Sequence, residues 1–139
     1  MSRKALVIDA NILIRAVLGQ RVRNLILGYA GQVDFFSPAE CLEDARRYLP
    51  DLLDKRGITK QPALDVLDAL AHIVRPIETE WLVGNEPLAR QLIASRDIND
   101  WPVLAAALTL GCPVWTEDAD FFGVGVATWT TANVEHFLR

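Results

Sequence analysis

The run Leu6-Val7-Ile8 is apolar on both alternating faces and stops abruptly at Asp9. A strand that shows water neither face belongs in a parallel sheet covered on both sides. Val114-Trp115-Thr116 repeats the pattern and is likewise followed by acids. Residues 33–37, 73–77 and 126–130 are the other strand candidates. Helical periodicity fills the intervals, over 11–20, 22–30, 62–73, 80–95 and 102–110. Another helix is expected to start at Ser37-Pro38, with Ser37 as N-cap and Glu40 three residues on. Pro50 is expected to kink or divide that helix, and Gly31, Gly57 and Gly111 read as helix ends. Strands alternating with helices predict an α/β fold with a mostly parallel sheet and helices on both faces. The length of 139 residues fits a single domain, 1–139.

Composition closes off several functions. The only cysteines are Cys41 and Cys112, and the only histidines, His72 and His136, lie far apart, too few for a zinc centre. The apolar start of the chain is interrupted by Asp9 and Asn11, so it lacks a signal-peptide core. No uninterrupted apolar run approaches 18 residues, and a cytoplasmic protein without a membrane span is expected. The net charge of −4 conceals a gradient: 13 of the 14 basic residues lie at or before Arg96, and six acids follow it against Arg139 alone. That distribution suits either an acidic pit beside a phosphate-binding rim or an uneventful charged surface.

In parallel sheets, sites form beyond the C-terminal strand ends, where Asp9 and Asp118 stand. Each of the acids singled out has a local explanation. Asp9 and Asp100 are candidate helix caps, Glu43 is spaced to pair with Arg47, and Asp118 and Asp120 are turn residues. Convergence of the strand ends would override those explanations. Two carboxylates at about 4 Å repel by about 4 kcal/mol at an effective dielectric near ~20. A hard divalent cation with oxygen ligands, Mg²⁺ or Mn²⁺, removes that repulsion.

Taken in order, VIDANILI, LEDARRYL, RDINDWPVLAAAL and VWTEDADF resemble the signature of PIN-domain ribonucleases, and they are similar above all to the small prokaryotic VapC-like toxins. The resemblance implies a three-layer α/β/α sandwich that cleaves RNA with Mg²⁺ or Mn²⁺. By motif it assigns Asp9, Glu43, Asp100 and Asp118 as metal-holding catalytic acids. Asn11, Asp97, Thr116 and Asp120 are implied as supporting residues. Glu40 competes with Glu43 for the second position. Among the basic residues, Arg15, Arg21, Arg23, Arg46, Arg47, Lys55 and Arg56 follow the first two motifs, and Arg96 is the best-placed candidate for RNA contact.

Expected partners are RNA, an antitoxin protein and a second copy of the chain. Two other functions fit the same residues. One is an RNA- or protein-binding module without catalysis. The other is a phosphatase with Asp9 as nucleophile, although such enzymes usually place a second Asp where Asn11 stands.

Overall fold

The structure, a computed structural model, describes residues 3–139. Its strands are β1 (Lys4–Ile8), β2 (Val33–Pro38), β3 (Arg75–Ile77), β4 (Val114–Trp115) and β5 (Thr128–Trp129). The helices are α1 (Ala10–Leu18), α2 (Gln20–Tyr29), α3 (Ala39–Lys55), α4 (Lys60–Leu70), α5 (Glu86–Ile93), α6 (Trp101–Leu110) and α7 (Val134–Leu138). The sheet runs β3-β2-β1-β4-β5 and every neighbouring pair is parallel. Helices α1 to α4 pack among themselves, while α5 packs on α6 and α6 on β1 and β2, giving the three-layer sandwich.

Burial follows the sequence pattern. Leu6, Val7 and Ile8 are fully buried, as are Val114 and Trp115, and Trp115 packs near Phe35 with ring centroids 6.5 Å apart. Helix α6 is buried from Trp101 to Ala107, so it lies inside the protein, as a helix apolar on all sides must. It ends at Gly111, whose φ of 63° favours a residue without a Cβ. Among the described residues, no helix is long and apolar enough to cross a membrane. Cys41 and Cys112 are free.

Several local expectations change. Ser37 is not a helix cap. It lies inside β2, fully buried, and its hydroxyl donates to the Ile8 carbonyl at 2.6 Å, tying β2 to the end of β1. Helix α3 continues through Pro50. The proline removes a backbone donor, but it sits at a half-buried position where the freed carbonyl can meet water. Gly31 lies in a turn without the positive φ of a left-handed cap. Helix α4 begins at Lys60, ahead of Pro62. The helix expected over 80–95 is instead two 3₁₀ turns, Thr79–Trp81 and Val83–Asn85, followed by α5. Trp81 is correspondingly 74% exposed.

The sheet order places the site. The chain steps from β1 to β2 and β3 on one side, then returns to place β4 on the other side of β1. The reversal opens a crevice beyond the C-terminal ends of β1 and β4. Replacing Ser37 with Ala should cost about 1 kcal/mol of stability, read from chemical denaturation, because a buried hydrogen bond is lost without a large cavity. An unchanged midpoint would mean that the bond contributes nothing.

Candidate metal centre

The first acid is fixed by backbone and side chain together. Asp9 follows β1 and is 5% exposed. One of its oxygens accepts from the Ile12 N–H at 2.9 Å, capping α1, and the other accepts from the Thr116 hydroxyl. The cap and the strand-end acid are therefore one residue. Burial is the main cause pushing the Asp9 carboxyl up to about 6, against the lowering effect of its two hydrogen bonds, with Asp118 and Glu117 raising it further.

Thr116 joins the two strand ends. Its oxygen donates to Asp9 and accepts from the Asp118 N–H at 2.9 Å. Asp118 in turn accepts from the Asp120 N–H at 2.9 Å, starting a 3₁₀ turn over Ala119–Phe121. Asp118, Asp120 and Asp100 each offer a carboxylate oxygen, and these oxygens lie within 4.8 Å of one another.

Asp100 departs most from an ordinary cap. It occupies the N-cap position of α6, yet its side chain caps nothing. Its Oδ2 is buried and, among the described residues, has no hydrogen-bond partner. Desolvation and the nearby Asp118, Asp97, Asp9 and Asp120 push its carboxyl up to about 7. An orphaned oxygen among acids, within an all-oxygen donor set, fits Mg²⁺ or Mn²⁺. The one thiol in the cleft offers no competing soft ligand. Burial, with Asp9 adding to it, pushes Cys41 up to about 12, so it stays protonated.

The remaining expected residues divide. A cleft of about 340 Å³ is lined by Asp9, Asn11, Asp97, Asp100 and Asp118, together with Glu40 and Asp44 of α3. Glu43 is exposed and does not line it. The rotation of α3 is set by burial of Cys41, Leu42, Ala45 and Leu49, which turns Glu40 and Asp44, one helical repeat apart, toward the cleft. Arg47 pairs with Asp44, not with Glu43. Asp44, which motif matching did not single out, lines the cleft four residues from Glu40. Asp97 accepts from the Asn99 N–H at 3.0 Å at the rim. Asn11 is exposed beside Asp9, and among the described residues its side chain makes no hydrogen bond.

Arg96 has structural work to do. One of its amino groups donates to the carbonyls of Ala119, Asp120 and Phe122, at 3.1, 2.8 and 2.6 Å. It thus clamps the turn that carries Asp118 and Asp120. Trp115 is fully buried, with its indole N–H donating to Thr131 at 3.1 Å, and Trp101 is 8% exposed under the Arg90 guanidinium. Both tryptophans serve packing.

A family model for the PIN domain matches residues 7–139. No curated protein matches the chain.

The raised carboxyls set a pH dependence. Asp9 and Asp100 hold protons more tightly in the folded chain than at the ordinary 3.8, so their ionisation erodes stability as pH rises toward about 6 and 7. Mn²⁺ should therefore raise the melting temperature at pH 8 and lose that effect progressively as pH falls through 7 and 6. A Mn²⁺ effect equal at pH 5 and pH 8 would contradict this coupling. Arg96→Ala should speed amide exchange over residues 119–122 and weaken Mn²⁺ binding about 10-fold, the range for groups that orient ligands. Unchanged exchange would show that the clamp holds nothing.

Proposed function

This chain belongs to the PIN-domain family, and from that premise we propose that it is a metal-dependent endoribonuclease. The observation that carries the reading is the buried, partnerless Oδ2 of Asp100 facing other carboxylates at the crevice between β1 and β4. A fold gains nothing from such an atom on its own account, whereas a divalent cation gives it a partner.

Asp100, Asp118 and Asp120 would hold the ion, with Asp9, which lines the same cleft as Asp100 and Asp118, beside them. When bound, such an ion activates water and stabilises the charge that develops on a phosphodiester. The chain's own residues do the positioning. Thr116 fixes one oxygen of Asp9 and the backbone of Asp118, so the two acids keep their separation through turnover. Asn11 offers a neutral amide at the rim, suited to a non-bridging phosphate oxygen that a carboxylate would repel. For the second acid, Glu40 and Asp44 have better support than Glu43, because they line the cleft.

An aspartyl phosphatase fits less well. Both oxygens of Asp9 already accept hydrogen bonds and the residue is nearly buried, which suits a ligand better than a nucleophile. A toxin role, with an antitoxin partner in the cytoplasm, rests on the resemblance to VapC-like proteins, as does a second copy of the chain as partner. Expression that arrests growth only while the nuclease residues are intact would support the toxin role.

Asp118→Asn and Asp100→Asn should each lower Mg²⁺- or Mn²⁺-dependent RNA cleavage by about 100-fold or more, given the several kcal/mol that a bound metal supplies. Products should carry 5′-phosphate and 3′-hydroxyl ends. Glu43→Ala should stay within about 3-fold of the unaltered protein, while the double change Glu40→Ala and Asp44→Ala should not. Full cleavage by Asp118→Asn protein would overturn the assignment of the site. Tight Mn²⁺ binding without cleavage of any RNA would favour the non-catalytic binding module.

A further inference from the structure

The acidic cleft opens into a second, larger groove of about 890 Å³, and Asn11, Ile14 and Asp118 line both. The two spaces differ in charge. The cleft is lined by six carboxylates (Asp9, Glu40, Asp44, Asp97, Asp100 and Asp118) and by no Lys or Arg. The larger groove is lined by Arg15, Arg21 and Arg56 together with Glu117 and Asp118, so its charged side chains sum formally to +1. One divalent ion leaves the cleft formally at −4 and two leave it at −2, so a polyanion would still be repelled from that side.

The three arginines are exposed, and none makes an ion pair or a side-chain hydrogen bond among the described residues. Other arginines nearby are committed to the fold. Arg23 donates to the Ala16 and Val17 carbonyls at the end of α1, and Arg46 pairs with Asp68. Helix α1 explains how the groove reaches the site. Its buried residues are Ile12, Leu13, Ala16 and Val17, so Asn11, Ile14, Arg15 and Leu18 form the opposite stripe and line the groove. Arg15 is one helical repeat beyond Asn11, about 6 Å along the axis.

We propose that Arg15, Arg21 and Arg56 form a track for the phosphodiester backbone on one side only of the bond to be cut. The proposal rests on the nuclease reading of the acidic site. Along the track the strand is gripped by charge. The groove lining contains no aromatic side chain, so bases there find no stacking platform and base preference on that side is weak. On the acidic side the exposed aromatic is Tyr48, with the Arg47 guanidinium 5.1 Å from its ring centroid, covering one face. Substrates therefore need several nucleotides on the arginine side of the bond and few on the other.

Two measurements test this. The first is fluorescence anisotropy of a labelled single-stranded oligonucleotide in EDTA, where a metal-dependent enzyme does not cut. Each phosphate contact contributes about 0.7 to the slope of log affinity against log salt. Arg15→Ala, Arg21→Ala and Arg56→Ala should each reduce the slope by about 0.7, and the triple variant should lose the binding. The triple Lys variant should keep most of the slope, which separates charge from misfolding. The second measurement uses nested oligonucleotides shortened from either end of the cut site. Cleavage should fail on trimming one side and persist on trimming the other.

A triple Ala variant with unchanged affinity and slope overturns the track, and equal sensitivity to trimming both sides overturns its one-sidedness. Arginine-dependent binding of poly-glutamate, with no competition by the oligonucleotide, would reassign the groove to an acidic protein partner and also overturn the track. The binding measurement in EDTA is independent of the nuclease reading, which falls only if the unaltered protein shows no metal-dependent cleavage or if Asp118→Asn cleaves fully; the first of these would overturn the one-sided track with it.

Discussion

The parallel pairing of β1 with β4 sets Ile8 beside Trp115, and the residues that follow each strand inherit that spacing. Asp9 therefore comes next to Thr116, whose hydroxyl is shared between the Asp9 carboxylate and the Asp118 N–H. Both paired residues are fully buried, so the register is held by the core rather than by the polar groups that depend on it. A slip by one residue would draw Trp115 out of its packing with Phe35 and carry Asp9 away from Thr116 at the same time. Packing thus fixes the geometry of the polar site.

That site works against the stability of the fold carrying it. Asp9 and Asp100 are held where burial and neighbouring acids disfavour their charged forms. The surrounding scaffold resists the resulting repulsion. Helix α6 is buried along seven consecutive residues, Trp101–Ala107, and Arg96 clamps the turn bearing Asp118 and Asp120. A divalent cation would convert the same arrangement from a repulsive cluster into a bonded one. The groove extends the contrast, since Arg15, Arg21 and Arg56 line it while no Lys or Arg lines the acidic cleft.

Much of this was legible in the chain. Apolar runs without alternation marked the buried strands, and acids at their ends marked Asp9 and Asp118. Asp100 was legible from its motif, but its unsatisfied oxygen was not, because burial of one atom depends on neighbours distant in sequence. Ser37 misled: a Ser-Pro pair with Glu40 following reads as a helix start, but the Ile8 carbonyl lies closer to hand and takes the hydroxyl. The placement of Glu43 outside the cleft was not legible in its motif either. Its motif position and that of Glu40 differ by three residues, and the rotation of α3, set by Cys41, Leu42, Ala45 and Leu49, brings the latter to the cleft.

Arg96 shows the division most clearly. Its place in the chain, four residues before Asp100, suggested a phosphate ligand; the fold sets its amino group on three backbone carbonyls. The sequence by itself determined the layer architecture and the family, and it pointed to the candidate acids, because periodicity, strand-end position and motif order are local properties. The tertiary structure alone decided which carboxylates share a cleft, which arginines remain free and where Asp100 loses its partner. Those outcomes depend on helix rotation and sheet register, and both are fixed by how the apolar residues of the whole chain bury one another.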